Sequence, residues 1–493
     1  MVLIGPMHVH IVAVAGTGMG SLAGLLKELG HEVSGSDTAF YPPMAPALRD
    51  WGVRLYEGFS PDHLDPAPDL VVVGNVCRRD NPEAAAAIDR GLPCTHIAGA
   101  LQRFAFPGTS PLVVAGTHGK TTTSALAAWL LEAAGRAPGF LVGGLLKNFA
   151  HSFRAAPTKR LRIPAEAPPR KTPFVIEGDE YDTAFFEKTA KILHYQAEVA
   201  IVTSVEHDHI DIYPTPESYF AAFERFVREL PETGLVVANA ASEKVVEIVS
   251  REARAEVAWY ALEGDAITVP PHWLAAPGPA DAKGTSFDLF AGGVHCGRLV
   301  TPLLGRHNLS NTVAAIGAVA QGYGVKIGEL GRALAGFGGV RRRQDLLGEP
   351  RGIAVYDDFA HHPTAVRETL AALRQRHPAG ALFAVFEPRS ATACRNLHQA
   401  EYPTAFESAS EVILAPLGRS GLPEDERLNL DQLVRELRAR GRDAAAFTSI
   451  DAIVAHLAGR AVPGDAIALL SNGAFGGIHG KVLDALAAAG RAP

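Results

Sequence analysis

The sequence has little cysteine and no long apolar run, and each absence excludes a class of protein. Its 493 residues include four cysteines, none in a Cys-x-x-Cys pair, which argues against a cysteine zinc site and a secreted disulfide framework. No stretch reaches the roughly 18 uninterrupted apolar residues of a transmembrane helix, and no cationic segment precedes the apolar residues at the N-terminus. These absences predict a cytoplasmic protein without membrane insertion.

Excess positive charge is also absent. Lysine and arginine number 46 against 53 acidic residues, so the formal net charge is −7. A broadly basic surface that binds nucleic acid is therefore not expected. The 47% of apolar residues is ordinary for a globular protein, and the length corresponds to about three domains. Nothing in the composition indicates an oligomeric state.

The pattern of apolar residues predicts an α/β fold. Short apolar runs bounded by Gly, Asp or Asn alternate with longer Ala- and Leu-rich segments, as in parallel sheets with crossover helices. We predict three units, at residues 1–108, 109–339 and 340–493. The prolines of 107–111 indicate a linker, since each proline removes a backbone donor and fixes φ. Residues 151–173, with six Lys or Arg and five prolines, are expected to form an irregular exposed loop.

The most specific local motif is Gly-Thr-His-Gly-Lys-Thr-Thr-Thr at 116–123, between a predicted strand and a predicted helix. Such a turn exposes backbone N–H groups, the helix N-terminus adds partial positive charge, and the lysine is a compact cation for phosphates. Val114 stands where the strict P-loop pattern has glycine, so the motif is a shorter variant. We predict a nucleoside triphosphate site, with the Thr121 hydroxyl available to Mg²⁺. A glycine-rich turn without a ligand is the alternative.

A second glycine-rich turn, Gly-Thr-Gly-Met-Gly at 16–20, also follows a predicted strand and precedes a helix expected from about Ser21. Asp37 ends the next extended segment, as in a dinucleotide-binding unit. The third glycine comes one residue earlier than in G-x-G-x-x-G. A pyrophosphate group, a nicotinamide dinucleotide and an empty tight turn therefore all remain open for this motif alone. A second phosphate site beside one for ATP favours an enzyme that joins something to a nucleotide-linked substrate.

Acidic and histidine residues cluster after two predicted strands, at 177–182 and 204–211. Both clusters are expected at the carboxyl edge of a parallel sheet, where ligands bind. Mg²⁺ prefers oxygen ligands, so Glu177 and Thr121 are predicted ligands, with the imidazole of His209 as a less usual third. Solvated loop acids or helix caps are the alternative.

Two polar pairs in the second half of the chain are candidate nucleotide-binding residues. Asn308 and Asn311 lie three residues apart beside a predicted helix, and their amides suit either the edge of a purine or a helix N-cap. Asp357 and Asp358 follow a predicted strand and could hold ribose hydroxyls or begin the next helix. The spacing does not choose between these roles.

Taken together, the motifs resemble those of the Mur ligase family, ATP-dependent enzymes that add amino acids or peptides to UDP-N-acetylmuramate in peptidoglycan synthesis. The resemblance covers essentially the whole chain. It is carried, in order, by residues 16–20, 35–37, 116–123, 177–182, Asp208-His209, His307-Asn308 with Asn311, 341–343 and 357–363. It implies a Rossmann-like N-terminal domain for a UDP-sugar, a P-loop-type central domain for ATP, and a Rossmann-like C-terminal domain that binds the incoming peptide and closes on ATP.

Further motifs resemble one branch of the family, which attaches L-alanyl-γ-D-glutamyl-meso-diaminopimelate to UDP-N-acetylmuramate in peptidoglycan recycling. They are Asp37 with Tyr41-Pro42-Pro43-Met44, residues 177–182, Glu387-Pro388-Arg389-Ser390 and residues 471–479. The alternative branch attaches L-alanine alone, in de novo synthesis. Several other branches place a carbamylated lysine where this chain has none, between Ser218 and Leu230. A nucleotide-dependent binding protein is the non-enzymatic alternative.

The resemblance also implies a mechanism and its residues. The lactyl carboxylate attacks the γ phosphate of ATP, and the peptide amine then converts the acyl phosphate to an amide. Catalytic roles fall to Lys120, Glu177 and His209, and Mg²⁺ to Thr121, Glu177 and His209. ATP is assigned to Gly116, Thr117, His118, Gly119, Lys120, Thr121, Thr122, Asn308, Asn311, Arg342 and Asp358. The UDP-sugar is assigned to Gly16, Gly18, Met19, Gly20, Ser36 and Asp37, and the peptide to Arg389 and His361. His118, His209 and His361 remain alternatives for the base that deprotonates the amine.

Overall fold

The computed structural model describes residues 5–41, 44–157, 171–210, 212–281, 284–419 and 421–489. Three large sheets follow one another along the chain, each with helices packed on it, so the prediction of an α/β protein with three units of structure is confirmed. Across these ranges, no helix is long and apolar enough to cross a membrane.

The first sheet is parallel and lies within residues 8–95. Its elements and the helix that follows are β1 (His8–Val12), α1 (Thr17–Glu28), β2 (Glu32–Asp37), α2 (Met44–Asp50), β3 (Arg54–Glu57), β4 (Leu70–Val73), α3 (Pro82–Asp89), β5 (Cys94–Thr95) and α4 (Ile97–Phe104). The strand order is β3-β2-β1-β4-β5. Central strands such as β4 are buried along their whole length, which explains why they read as continuous apolar runs.

Helix α1 begins at Thr17, earlier than the expected Ser21. The glycine turn forms the first turn of this helix, since Gly20 N–H donates to the Gly16 carbonyl at 2.8 Å. A β-carbon at Gly20 would overlap the side chain of Met44 on α2. The glycine therefore allows two helices to approach closely, a requirement that spacing alone does not reveal.

The central sheet has ten strands, and its elements run from residue 109 to 334. They are β6 (Thr109–Ala115), α5 (Lys120–Ala133), β7 (Gly139–Leu141), β8 (Phe153–Arg154), β9 (Thr172–Gly178), β10 (Asp182–Ala184), β11 (Glu187–Ala190), β12 (Val199–Val202), α6 (Pro216–Glu229), β13 (Leu235–Asn239), α7 (Glu243–Glu252), β14 (Glu256–Leu262), β15 (Trp273–Asp281), β16 (Gly284–Ala291), β17 (Val294–Thr301), α8 (Arg306–Tyr323) and α9 (Ile327–Leu334). The order is β17-β16-β15-β14-β13-β12-β6-β9-β7-β8, while β10 and β11 form a separate hairpin.

Two sequence predictions fail in this sheet, one at the interior strand β6 and one at the edge strand β8. Thr109 to Pro111 belong to β6 and not to a linker. Pro111 has no N–H to donate, but its carbonyl accepts from Glu198 N–H and the ladder to β12 begins only at Leu112. The sheet therefore requires no hydrogen-bond donor from Pro111. Phe153, expected in the irregular loop, is buried in β8 against Trp51 of the first unit. Residues 158–170 of that predicted loop lie outside the described residues, as do Pro42 and Pro43.

The third sheet is parallel except for its edge strand β18. Its elements are β18 (Asp345–Gly348), β19 (Ala354–Asp358), α10 (Pro363–Arg376), β20 (Leu382–Phe386), α11 (Tyr402–Ala405), β21 (Glu411–Leu414), α12 (Leu430–Ala439), β22 (Asp443–Ala446), α13 (Ile450–Arg460), β23 (Ala466–Leu470) and α14 (Ile478–Ala488). The order is β18-β19-β23-β20-β21-β22. The N-terminus of α10 faces the carboxyl ends of β6 and β12, and this junction contains the candidate site.

Candidate active site

The turn between β6 and α5, residues 116–122, is called the phosphate loop below. Gly116 and Gly119 have φ of +133° and +81°, which glycine adopts without strain. A β-carbon at Gly119 would overlap Asn311 on α8, and one at Gly116 would overlap Thr203 after β12. The loop is therefore held against two other elements. It ends at the N-terminus of α5, where free N–H groups favour an anion.

Lys120 lies at the first position of α5 and is 13% exposed. Its ammonium donates to the Gly116 carbonyl at 2.6 Å and to Glu180 Oε2 at 2.9 Å. Burial opposes the charge of Lys120, but the adjacent acids, Glu180 first, raise its pKa above the ordinary value. The lysine is thus a fixed cation beside the phosphate loop.

Glu180 connects Lys120 to other residues of the site. It accepts from the Tyr219 hydroxyl at 3.3 Å and pairs with His209 Nε2 at 3.3 Å. Burial disfavours its charge, yet Lys120 and His209 lower its pKa to about 2. Glu180 was part of the predicted acidic cluster but was not selected as a site residue, because its distance from Lys120 along the chain carries no information on contact.

Glu177 and Thr121 both adjoin the turn at residues 143–144. Gly143 N–H donates to Glu177 Oε1 at 3.0 Å, and a β-carbon at Gly144 would lie 2.8 Å from Thr121 Cγ2. Burial, together with the neighbouring charge of Asp179, raises the pKa of Glu177 to about 7. A carboxylate with so little compensating positive charge fits a site for a divalent cation.

His209 is directed toward Glu180 and has a positive φ of 53°. Burial opposes protonation, but the hydrogen bond to Glu180 raises the pKa of His209 above its ordinary value. The structure thus places His209 beside Glu180, and its predicted roles as a metal ligand and as the base stay predictions.

A cleft of about 830 Å³ extends from the phosphate loop between the central and third sheets. It is lined by the loop residues His118, Gly119 and Thr122, by residues after β12 and β13, by α7 and α8, and by Arg343, Asp358 and the first turns of α10. These elements come from parts of the chain more than 200 residues apart, so the cleft exists only in the folded protein.

Asn308 and Asn311 line this cleft and lie inside α8. The N-cap of α8 is Gly305, so the alternative that these asparagines cap the helix is wrong. Asn311 packs against Gly119 and donates to Asn308 Oδ1 at 3.3 Å. The pair therefore lies beside the phosphate loop.

Arg343, and not the predicted Arg342, faces the cleft. The Arg342 guanidinium donates to the Ser471 and Gly473 carbonyls, each at 2.7 Å, and these bonds direct it away from the phosphate loop. Arg343 donates to the Thr121 hydroxyl at 3.2 Å, and burial lowers its pKa below the ordinary value of arginine. Arg342 and Arg343 are adjacent and have the same side chain, so only the path of the backbone decides which of them faces the cleft. Arg342 has a positive φ of 61°, which turns the two side chains apart.

Asp357 and Asp358 are the last residues of β19, and their carboxylates have different partners. Asp358 lines the cleft and accepts from the backbone N–H groups of Gln344 at 2.7 Å and Ala360 at 2.8 Å. Asp357 pairs with Arg342 Nε at 3.3 Å. Helix α10 is capped by His362, so the alternative that these acids begin it is wrong.

Glu206 links the phosphate loop to the third sheet. Its Oε2 atom lies 3.2 Å from His118 Nε2 and accepts from the Thr364 hydroxyl, on the first turn of α10, at 2.9 Å. Burial opposes its charge, but His118 and Thr364 help to lower the pKa of Glu206 to about 2. A second such contact joins Asp208 to Thr392 at 2.8 Å. Glu206 and Arg343 lie in motifs noted in the sequence, but neither they nor Thr364 were selected as site residues, since these contacts cross between sheets.

The N-terminal glycine turn adopts a well-defined arrangement. Both carboxylate oxygens of Asp37 accept backbone N–H groups, from Ala15 and Thr38, each at 2.8 Å. Met19 is 8% exposed and packs in the apolar core, so only its backbone is available to a ligand. Ser36 is fully buried, and its hydroxyl has no partner among the residues that the structure describes.

The two predicted peptide-binding residues lie in different environments. Arg389 is exposed after β20, with Nη1 3.4 Å from Glu387 Oε1. His361 is partly buried, and its Nδ1 lies 3.1 Å from the Phe359 carbonyl. A carbonyl only accepts, so Nδ1 carries the proton and Nε2 keeps its lone pair. Burial lowers the pKa of His361, which keeps this neutral form at neutral pH.

Comparisons with known families match the chain in three consecutive segments. The Mur ligase family catalytic domain matches residues 8–106, the Mur ligase middle domain residues 114–319, and the Mur ligase glutamate ligase domain residues 342–473. These segments correspond to the three sheets described above.

Individual relatives match nearly the whole chain. UDP-N-acetylmuramate–L-alanyl-gamma-D-glutamyl-meso-2,6-diaminoheptandioate ligase of Escherichia coli is 36% identical over 482 residues, 98% of this chain and 98% of that protein. UDP-N-acetylmuramate–L-alanine ligase of a Roseiflexus species is 34% identical, over 95% of this chain and 96% of that protein. A crystal structure of a murein peptide ligase from Psychrobacter arcticus aligns with a TM-score of 0.72 at 33% identity, covering 98% of this chain and 99% of that one.

Proposed function

Because the chain belongs to the Mur ligase family and is an ATP-dependent, amide-bond-forming ligase, we propose that it joins UDP-N-acetylmuramate to L-alanyl-γ-D-glutamyl-meso-diaminopimelate in peptidoglycan recycling. The observation that carries the proposal is a phosphate loop opening onto an 830 Å³ cleft, in a chain that matches a ligase named for these substrates over 98% of its length. The reaction requires carboxylate activation, since an oxide ion is too poor a leaving group.

Activation and coupling proceed in two steps. A carboxylate oxygen of the lactyl group attacks the γ phosphorus, the bond to the β–γ bridging oxygen breaks, and ADP leaves. The peptide amine then attacks the acyl phosphate carbonyl, inorganic phosphate leaves, and the nitrogen loses a proton. The protein contributes positioning and charge neutralisation, as in other phosphoryl transfers.

We assign the triphosphate to the N–H groups of the phosphate loop, to Lys120 and to Arg343. Lys120 is held at Glu180, 2.9 Å away, which keeps it charged and orients it before nucleotide binds. Burial of the Arg343 guanidinium outweighs the nearby carboxylates Asp358 and Glu177 and lowers its pKa, and a bound phosphate would add negative charge that favours its charged form. Asn308, Asn311 and Asp358 line the same cleft and are assigned to the nucleotide.

Thr121 and Glu177 are the residues that would hold Mg²⁺, and the ion would neutralise charge on the phosphates. The fit rests on the raised pKa of Glu177, about 7, and on the shared turn at residues 143–144 that adjoins both side chains. His209 is assigned instead to fixing Glu180, and through it Lys120.

His361 is the base that the geometry favours among the three candidate histidines. Its Nε2 lone pair is available because Nδ1 donates to Phe359, whereas His209 is paired with Glu180 and His118 with Glu206. The imidazole would take the proton that the amine loses on attack. His361 follows β19 in the unit assigned to the peptide, where Arg389 would pair with a peptide carboxylate.

The remaining assignments follow the three units, with boundaries at 1–108, 109–339 and 340–493. The first would bind the UDP-sugar at the 16–20 turn and beside Ser36 and Asp37. The central unit would bind ATP. The third would bind the peptide and close on the nucleotide. Two of the three proposed substrates, ATP and the UDP-sugar, are nucleotide metabolites, and the four free cysteines suit a reducing compartment, so the cytoplasm is the proposed location.

A single assay tests the proposal against its competitor. Phosphate release should require UDP-N-acetylmuramate together with an amine, and the tripeptide should support it whereas L-alanine alone should not. The second candidate, ligation of L-alanine, is favoured by the 34% identity to the Roseiflexus enzyme. Equal turnover with free L-alanine would assign the chain to that reaction, and no amine-dependent turnover with any acceptor would contradict ligase activity.

A further inference from the structure

A cluster of two histidines and one glutamate lies outside the cleft, where the first unit meets the central unit. His96 caps the N-terminus of α4, Glu187 begins β11, and His194 ends the 3-10 turn that follows β11. One nitrogen or oxygen atom from each residue lies within 4.8 Å of the other two. None of the three takes part in the proposed reaction, and no sequence motif pointed to them.

From this geometry we propose that His96, Glu187 and His194 form a binding site for a zinc-like transition-metal ion that connects the two units. His96 Nε2 lies 3.0 Å from Glu187 Oε2, and His194 Nε2 lies 3.4 Å from Glu187 Oε1. Bonds of 2.0–2.1 Å in a tetrahedron separate neighbouring ligands by about 3.3 Å, and each imidazole lies at about that distance from one oxygen of the carboxylate. Because the two oxygens differ, Glu187 would bind the ion through both oxygens or would turn one of them toward it. Two imidazoles and a carboxylate are ligands that zinc accepts.

The surroundings suit a cation with one open position. His96 is 6% exposed, His194 18% and Glu187 39%, so the cluster opens to solvent on the Glu187 side, where the ion and a water ligand can enter. Two basic residues lie nearby. Lys191 is paired with Asp179 at 3.7 Å and Arg225 with Glu229 at 2.6 Å, so each has its own counter-charge.

The histidine rings are held in place by hydrogen bonds, some of which a bound metal ion would replace. Gln102 of α4 donates to the His194 carbonyl, and the Thr189 hydroxyl lies 2.8 Å from His194 Nε2. His96 Nδ1 accepts from Gly99 N–H at 3.2 Å, which places the ring proton on Nε2. Metal binding therefore shifts this proton to Nδ1 and replaces one helix-cap bond with a coordinate bond.

A second cluster, His118, Glu206 and His362, is as closely spaced and is likewise hydrogen-bonded. Its carboxylate accepts from Thr364, its His362 Nδ1 accepts from Thr364 N–H at 3.3 Å, and it lies against the phosphate loop. Its atoms belong to the nucleotide cleft. It therefore serves as the alternative site that an experiment must separate from the first.

Equilibrium dialysis of the full-length, chelator-treated protein against Zn²⁺ tests the proposal. The unaltered protein should bind one tight equivalent, and His194→Ala and Glu187→Gln should each weaken it by at least about tenfold, as loss of a ligand requires. His295→Ala is the matched control, because His295 forms an exposed histidine–carboxylate pair with Asp288 at 3.0 Å and should change nothing.

Two further measurements keep the result decisive if a variant folds poorly. Co²⁺ bound to the unaltered protein should give the visible absorption of a four-coordinate nitrogen–oxygen site, and Zn²⁺ should raise its unfolding temperature but not that of His194→Ala. The proposal is overturned if Zn²⁺ affinity is the same in His194→Ala, if it is lost in His118→Ala instead, or if the unaltered protein binds no tight equivalent.

Discussion

The central unit meets its two neighbours in different ways. Toward the first unit, apolar side chains form one continuous core, in which Phe106 packs edge-on against Phe174 and Tyr195 and Trp51 packs against Phe153. Toward the third unit, whose apolar cores are its own, the sheets face each other across a cleft. That cleft is bridged by polar contacts, including Glu206 to Thr364 and Asp208 to Thr392.

This difference separates a fixed junction from one that can open. Apolar burial is lost in full when two surfaces part, whereas hydrogen bonds and ion pairs at a wet cleft are exchanged for bonds to water at small net cost. A ligase that must admit ATP and then exclude water needs the second kind of junction on one side. The proposed metal site would reinforce the junction that is already fixed. Four predictions test this contrast, from the largest expected effect to the smallest.

Phe106→Ala should destabilise the protein by about 3–5 kcal/mol, the usual cost of removing a buried aromatic side chain. Phe106 is 7% exposed at the apolar junction, and Leu397→Ala, at a position 50% exposed, is the control. Chemical denaturation with circular dichroism measures the change. A loss as small as that of the control would show that the first junction is not held by apolar packing.

Lys120→Ala should reduce the ligase rate more than a hundredfold, about 3 kcal/mol, because the cation beside the phosphates is lost. It also leaves Glu180 buried with only His209 opposite, so some stability should be lost. The double variant Lys120→Ala/Glu180→Gln should recover that stability but not the rate. Lys481→Ala, which removes an exposed pair with Asp451, is the control. Unchanged turnover in folded Lys120→Ala would refute the phosphate-loop assignment.

Thr364→Val should lower kcat/KM for ATP about fivefold, corresponding to about 1 kcal/mol for the hydrogen bond to Glu206. Its unfolding midpoint should stay close to that of the unaltered protein, in contrast to Phe106→Ala. Thr364→Ser keeps the hydroxyl and should keep the activity. Equal kinetics in the Val and Ser variants would mean that this contact does not support closure.

Glu177→Gln should raise the unfolding temperature of the ligand-free protein by a few degrees at pH 8 and leave it unchanged near pH 4. The folded-state pKa of Glu177 is about 7, against an ordinary value of 4.5. Between pH 4.5 and pH 7 the Glu177 carboxyl binds more protons in the folded state than in the unfolded state. This group therefore makes the free energy of unfolding fall as the pH rises through that range, and the whole loss of stability remains above pH 7. Calorimetry across pH checks it, and a lower unfolding temperature of the variant at pH 8 would contradict the raised pKa.

Much of the architecture could be predicted because its signals are local. The strand, glycine turn and helix around residue 119 occupy fewer than thirty consecutive residues and follow one another in the predicted order. The apolar runs of β12, β20 and β23 likewise marked buried strands. The misplaced linker at Pro111 shows the limit, because a proline is acceptable in a strand wherever its neighbour requires no donor.

By itself, the sequence determined the α/β class, the three successive units, the phosphate loop and its lysine, since φ preferences, apolar periodicity and N–H spacing act within a few turns of chain. The tertiary structure alone decided that Arg343 rather than Arg342 reaches Thr121, that His209 serves Glu180, and that Glu206 meets Thr364. Each of these depends on where distant segments cross and which way one backbone torsion turns a side chain. These contacts join residues that lie 29 to 222 positions apart, and no periodic pattern in the sequence predicts contacts over such separations.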